Sequence, residues 1–308
     1  MYHQYFKFVT FSTLLTSSLL LLGLKQDTAE FTNAQINEQS ILAINWVQQS
    51  GEYQALTYQA FNIAKIVFDQ AKAKKITQPA IIVDIDETVL DNSAYQAGLV
   101  DTNNSYELST WNKWVAVARA KTVPGAAKFV NYVNDNGGKV FFISDRDKSS
   151  NKDRNNNDLE IATINNLKVN GFKGANSKTV LLKGEFTKII DGKESTSKQW
   201  RREAVENGQV DGKKYTIVAL MGDNLNDFDH KTGVTNQERR SYVEKHSSYY
   251  GILDSIPNNK IFEPAYIALP NPMYGNWETG LYKPQAGQKP SQKNQQRKQS
   301  LIRWLPDK

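Results

Sequence analysis

Ile81-Ile-Val-Asp-Ile-Asp-Glu-Thr88 is the stretch on which the reading of the chain turns. The apolar run Ala80-Ile-Ile-Val83 is too short for a helix, is rich in β-branched residues and follows the breaker Thr77-Gln-Pro79. That pattern predicts a buried strand. Asp84 and Asp86, spaced i and i+2, leave its C-terminal end, which is where open α/β sheets bind ligands. An isolated Asp-x-Asp is most often a pair of turn or cap carboxylates. The apolar strand before this one and Thr88 after it favour a chemical role. A carboxylate here can attack phosphorus as a nucleophile, and its neighbour can exchange a proton with the leaving oxygen.

Outward from this strand the pattern alternates. Upstream, Ile41, Ile44, Val47, Leu56, Ala60, Ile63, Ile66 and Val67 recur at three- and four-residue steps and predict helix over 34–76. Downstream, helices are expected at 111–119, 124–134, 158–169 and 198–206. Strands are expected at 139–143, 179–182, 216–221 and, last, within 262–269. Strands alternating with helices imply an α/β fold with a doubly wound, mainly parallel sheet. Polar stretches at 148–158 and 207–214 read as surface loops. No repeat or heptad is present.

Composition narrows the chemistry. The 308 residues include no Cys and three His (His3, His230, His246). Disulfides, thiolate metal sites and a cysteine nucleophile are thereby excluded. A metal would be held by oxygen ligands, which favours magnesium (Mg2+). The formal charge of +6 resides in residues 283–308, where seven basic side chains face one acidic residue, Asp307. Such a segment can touch nucleic acid or another anionic surface. The simpler expectation is a helix over 288–306 with a solvated face, packing Leu301, Trp304 and Leu305 on the core, and no stable nucleic-acid partner. At the other end, Lys7 precedes an uncharged, Leu-rich run from Phe8 to Leu24. Seventeen residues suit a secretory segment better than a membrane span. Residues 1–29 are therefore read as a signal peptide or, if uncleaved, a signal anchor giving membrane association through the N-terminus.

A second acidic cluster lies in Met221-Gly-Asp-Asn-Leu-Asn-Asp227, after the strand expected at 216–221. Asp223 and Asp227 are hard carboxylates at a strand end and suit Mg2+ together with Asp84 and the backbone carbonyl of Asp86. Asp223 is the expected direct ligand, with Asp227 supporting it.

Asp84-x-Asp86-x-Thr88 after a strand resembles the first motif of the haloacid dehalogenase (HAD) superfamily. In that order, Ser144, after Phe141-Phe-Ile143, corresponds to the second motif, whose hydroxyl binds phosphate, as Thr88 would. Lys198, at a helix start, corresponds to the charge-neutralising lysine, with Lys183 and Lys193 as alternatives. Asp223 and Asp227 form the fourth motif.

The likeness narrows to the class C acid phosphatases, which include outer-membrane lipoprotein 5′-nucleotidases. It rests on Trp46–Tyr53, Tyr58–Lys65, Asp84–Ser93, Trp111-Asn-Lys-Trp114 with Pro124-Gly125, Gly222–Phe228 and Leu269–Trp277, and spans most of 40–282. The resemblance implies a HAD-like core (77–92 and 120–282) with a small helical accessory part (34–76 and 93–119). It also implies hydrolysis of phosphomonoesters such as nucleoside monophosphates at acid pH, an aspartyl-phosphate on Asp84, Trp111 and Tyr274 sandwiching the substrate ring, and a homodimer. An acid optimum follows if Asp86 must begin protonated. The lipid-bearing cysteine of the family is missing, so a periplasmic, outer-membrane-associated or secreted location is expected without that anchor. Residues 150–158, the loop before the fourth strand and the stretch near 245–258 look extended relative to the family. Phosphoryl transfer to an alcohol, or a surface-binding protein with a vestigial site, are the alternative readings.

Overall fold

The computed structural model describes residues 30–148, 158–253 and 263–305. The expected signal segment, most of the 148–158 loop and the last three residues of the basic segment lie outside them. The described residues from Phe31 on make one compact unit.

In chain order the elements are α1 (Asn33–Glu38), α2 (Ile41–Gln49), α3 (Gly51–Ala73), β1 (Pro79–Val83), β2 (Leu90–Asp91), α4 (Ser93–Ala97), α5 (Leu108–Val117), β3 (Lys121–Thr122), α6 (Ala126–Asp135), β4 (Lys139–Asp147), α7 (Leu159–Val169), β5 (Val180–Lys183), β6 (Lys188–Ile190), β7 (Lys193–Ser195), α8 (Lys198–Glu206), β8 (Thr216–Gly222), α9 (Asn236–Lys245), β9 (Ala265–Ala268), α10 (Asn276–Thr279) and α11 (Pro290–Gln299). The helix expected over 34–76 is three helices. The chain breaks at Gln39–Ser40 and again at Ser50, whose extended backbone and side chain cap α3 by accepting from the Tyr53 N–H at 3.1 Å.

Five strands form one parallel sheet in the order β5-β4-β1-β8-β9. The chain builds outward from β1 through β4 to β5, then returns to β8 on the other side of β1. This places a topological switch point at the C-terminal end of β1. Alternate residues serve opposite faces, as the pleat requires. Ile81, Val83, Val140, Phe142 and Val218 pack with Phe61, Ala64 and Phe68 of α3 and Val130 of α6. Ala80, Ile82, Phe141 and Ile217 pack on the other face with Val205 of α8 and Phe228. The doubly wound α/β expectation holds.

β4 runs on to Asp147, with its register to β5 shifting after Ile143, so Ser144 lies inside the strand and not after it. The small helices carry two further apolar clusters. Ile44, Val47 and Tyr53 meet Met273 in one, and Trp111, Val115 and Leu159 meet in the other. The basic segment departs from expectation. α11 stops at Gln299, and Leu301, Trp304 and Leu305 are exposed, not packed on the core. α11 buries no residue and the chain beyond it has no regular structure, so nothing folds those side chains inward. Among the described residues no helix is long and apolar enough to cross a membrane.

Candidate active site

Three strand ends and one helix start converge at the switch point. Asp84 follows β1, and its N–H donates to the Met221 carbonyl of β8 at 2.9 Å, drawing it toward Asp223. Asp223 follows β8, and a short 3-10 turn over Leu225–Asp227 then folds Asp227 back. The Asn224 N–H donates to Asp227 Oδ2 at 2.9 Å. Gly222 makes this fold-back feasible, because a Cβ there would overlap the Asp227 carboxylate.

Lys198, the first residue of α8, is buried and donates to Asp227 Oδ1 at 2.6 Å and to Asp84 Oδ1. Lys183 ends the edge strand β5 and Lys193 sits in the exposed β6–β7 hairpin, so of the three candidate lysines this is the one brought to the aspartates. Its neighbours on the same helix face, at i+3 and i+4, are also buried. Arg201 donates to the Ser144 carbonyl and, at 2.8 Å, to Asp145, while Arg202 donates to the Asp227 carbonyl at 2.8 Å. A single short helix thus ties together the ends of β4 and β8.

Asp86 takes a different partner. Arg146, fully buried, donates from Nε at 3.0 and 3.1 Å and from Nη2 at 2.7 Å, while Asn92 Nδ2 adds 2.9 Å. Ser144 Oγ lies 3.4 Å from Asp86 Oδ2. Ser144 and Arg146 are i and i+2 in β4 and therefore point the same way. Thr88 Oγ1 lies 3.5 Å from both Asp84 Oδ2 and Asp223 Oδ1.

The electrostatics call for a cation. Carboxylate oxygens of Asp84, Asp223 and Asp227 all lie within 4.8 Å of one another. Burial pushes the Asp84 carboxyl well above its ordinary value; Lys198 opposes this, and Asp227, Asp223 and Asp86 add to it. Burial, with Asp227 next, pushes Asp223 up to about 7. Burial would lower Lys198, but Asp227 and Asp84 more than reverse this and hold it above the usual ammonium range. Burial would raise Asp145, yet Lys198 and Arg201 hold it below the usual carboxylate range. One ammonium does not neutralise three clustered carboxylates, two of them buried and Asp223 partly so, and the donors are all oxygen, so the set fits a hard divalent cation. Both Asp227 oxygens are engaged, by Lys198 and the Asn224 N–H, which leaves Asp84 and Asp223 as the freer pair. Asn271 orients Asp223 by donating to its Oδ2 at 2.8 Å.

The cavity over this cluster measures about 170 Å³ and is lined by Asp84, Asp86, Asp145, Lys198, Asp223 and Tyr274, among others. That space suits a phosphoryl group and is below the usual range for a whole organic ligand. Tyr274 borders it and donates to Glu87, a buried carboxyl that burial, then Asp86 and Asp223, push well above its usual value. Trp111 sits in a separate aromatic cluster, edge-on to Tyr95 at 5.2 Å and tilted to Tyr106 at 6.3 Å. The two rings therefore belong to different clusters.

Sequence reasoning missed Arg146, Arg201, Arg202, Asn92 and Asn271. The strand and helix spacings around Ser144 and Lys198 were the available signals for the three arginines.

Residues 10–277 match the model of a family described as HAD superfamily, subfamily IIIB (Acid phosphatase). Among solved structures, the Class C acid phosphatase from Bacillus anthracis is similar at 32% identity, with a TM-score of 0.71 over 88% of this chain and 99% of that one. A structure of that class C acid phosphatase with tungstate bound gives the same values.

Proposed function

Because the chain belongs to the subfamily IIIB acid phosphatases of the HAD superfamily, and is thus a phosphomonoester hydrolase, we propose that it cleaves small phosphomonoesters, nucleoside 5′-monophosphates among them, through an aspartyl-phosphate on Asp84 with Mg2+ as cofactor. The observation that carries this is the Lys198 ammonium shared by Asp84 and Asp227 beside Asp223. The tungstate on the related enzyme is a tetrahedral oxyanion of phosphate shape, and the small cavity here accommodates such a group.

In the proposed course Lys198 orients Asp84 and offsets phosphate charge. The Asp84 carboxylate attacks phosphorus in line; an Asp84 O–P bond forms as the ester P–O bond breaks. The electron pair leaves on the alcohol oxygen, which takes a proton from Asp86. Asp86, oriented by Arg146 and Asn92, then accepts a proton from water as that water's oxygen attacks phosphorus, and inorganic phosphate departs from Asp84. Ser144 and Thr88 are placed to donate to phosphate oxygens. A divalent cation held by Asp84, Asp223 and the Asp86 carbonyl would supply the remaining positive charge for the phosphoryl oxygens. The body of the substrate lies outside the cavity, so its ring is offered to Tyr274 and to the Trp111–Tyr106 patch, where stacking tolerates different bases.

The test is phosphate release from AMP and p-nitrophenyl phosphate near pH 5–6, with magnesium and with EDTA, plus borohydride trapping of the acyl phosphate. Metal-dependent release and a reduced Asp84 peptide are expected, with both lost in Asp84→Asn. Trapping at another residue, or turnover retained by Asp84→Asn, sinks the nucleophile assignment. The reading includes export directed by the Phe8–Leu24 run, which fractionation of cells checks.

A further inference from the structure

We propose that residues 289–305 form a docking surface for an anionic lipid bilayer. The segment has two halves. Leu301, Ile302, Trp304 and Leu305 follow α11 and stand in solvent, Ile302 fully and Trp304 at 85% exposure. Four large apolar side chains within five residues are an exposed patch of the kind that marks an interaction surface. Lys298 and Arg303, both exposed, flank them in the chain, and the exposed Lys289 stands at the start of α11, with Lys293 half-buried beside Tyr282.

The charge selects the partner. Positions 283–308 carry the whole formal excess of the chain, and the only acidic residue among them is Asp307. An anionic leaflet attracts such a cluster over about a Debye length, roughly 8 Å at physiological salt. Nucleic acid would use the basic half and stack on Trp304, but it offers nothing to Leu301, Ile302 and Leu305. A bilayer uses both halves: headgroups meet the basic side chains, and the aliphatic side chains and the amphipathic indole enter the interface.

The segment is presented from a fixed mount. Arg297 is not part of the free charge; it pairs with Glu278 at 2.5 Å, and its Nε donates to Tyr282 at 2.8 Å. Its Nη1 also donates to Gln39 at 2.7 Å, and Gln39 donates to Asn294 at 2.9 Å. Gln39 caps α1, so α11 rests on the first helix of the compact unit. The chain enters that unit at Phe31, six helical residues or about 9 Å of axis from this contact.

The test compares the full chain on vesicles of phosphatidylcholine alone and of phosphatidylcholine with phosphatidylglycerol in equal parts. Any binding through the uncharged N-terminal run is common to both kinds, so the ratio of the two partition coefficients isolates the basic segment. The expected ratio is about tenfold or more at low salt, falling toward one in molar salt. Lys289→Glu with Lys298→Glu and Arg303→Glu should bring it close to one, and Leu301→Ser with Ile302→Ser, Trp304→Ser and Leu305→Ser should lower the partition coefficient on the mixed vesicles about tenfold or more. Hydrolysis of p-nitrophenyl phosphate should stay unchanged in both, which verifies folding. A ratio near one in the unaltered chain, a ratio that the charge reversal does not move, or a partition coefficient that the serine variant does not lower overturns the proposal. A serine variant that changes only the mass in solution also overturns it, and assigns the patch to a second copy of the chain.

Discussion

Arg146 donates three hydrogen bonds to Asp86 while its own side chain is 1% exposed. Removing one partner of such a pair strands the other, which costs far more than the pair contributes. Arg146→Met is expected to lower stability by about 3 kcal/mol in urea unfolding and to cut turnover. Asp86→Met combined with Arg146→Met should recover part of that stability and none of the activity. A single variant as stable as the parent would show that the pair is dispensable. The same residue marks the limit of sequence reading. Asp84, Asp86, Asp223 and Asp227 were legible because each follows an apolar strand in a short local pattern. Arg146 was not, because a lone arginine in a polar run gains its meaning from Asp86, sixty positions away in the chain, and Asn271 gains its meaning from Asp223 in the same way.

At the level of elements, β8 and its turn are held by the absence of a side chain at Gly222. Gly222→Ala is expected to push Asp227 off Lys198 and lower kcat by about a hundredfold, since a misplacement near 1 Å can cost that much. Steady-state kinetics check this, and a kcat unchanged by the methyl would mean the turn moves freely. Ser50→Ala is the control: losing the α3 cap should cost about 1 kcal/mol without altering kcat. The sheet strands were legible from apolar runs, with ends moved by a few residues. The β6–β7 hairpin was not, because it is short and exposed and shows no buried face. α9 did carry a signal, the Thr235–Glu238 capping box, but its polar sequence lacks an apolar stripe. The exposure of Leu301, Trp304 and Leu305 was beyond reach, since hydrophobicity says what a side chain prefers and not whether a surface is there to receive it.

For the molecule as a whole, the carboxylate cluster couples folding, pH and metal. Asp223 titrates at about 7 in the folded chain against an ordinary 3.8. A carboxyl raised on folding contributes stability that is present below its unfolded value and lost as pH rises through the folded one. The metal-free protein should therefore weaken between about pH 4 and pH 7 through this group, and magnesium, which favours the ionised form, should stabilise it more at the upper end. Melting temperatures with magnesium and with EDTA across that range test this; a hundredfold excess over Kd should add about 2.7 kcal/mol near neutrality, and an increment that ignores pH would place the metal elsewhere. The spacing of the site along the chain has a further consequence. Lys198 reaches back 114 positions to Asp84, and Tyr274 reaches back 187 to Glu87. The ribosome has to release the chain past Lys198 and Asp227 before these groups meet, so a nascent chain that stops short of them is catalytically silent however much of the sheet it has begun to form.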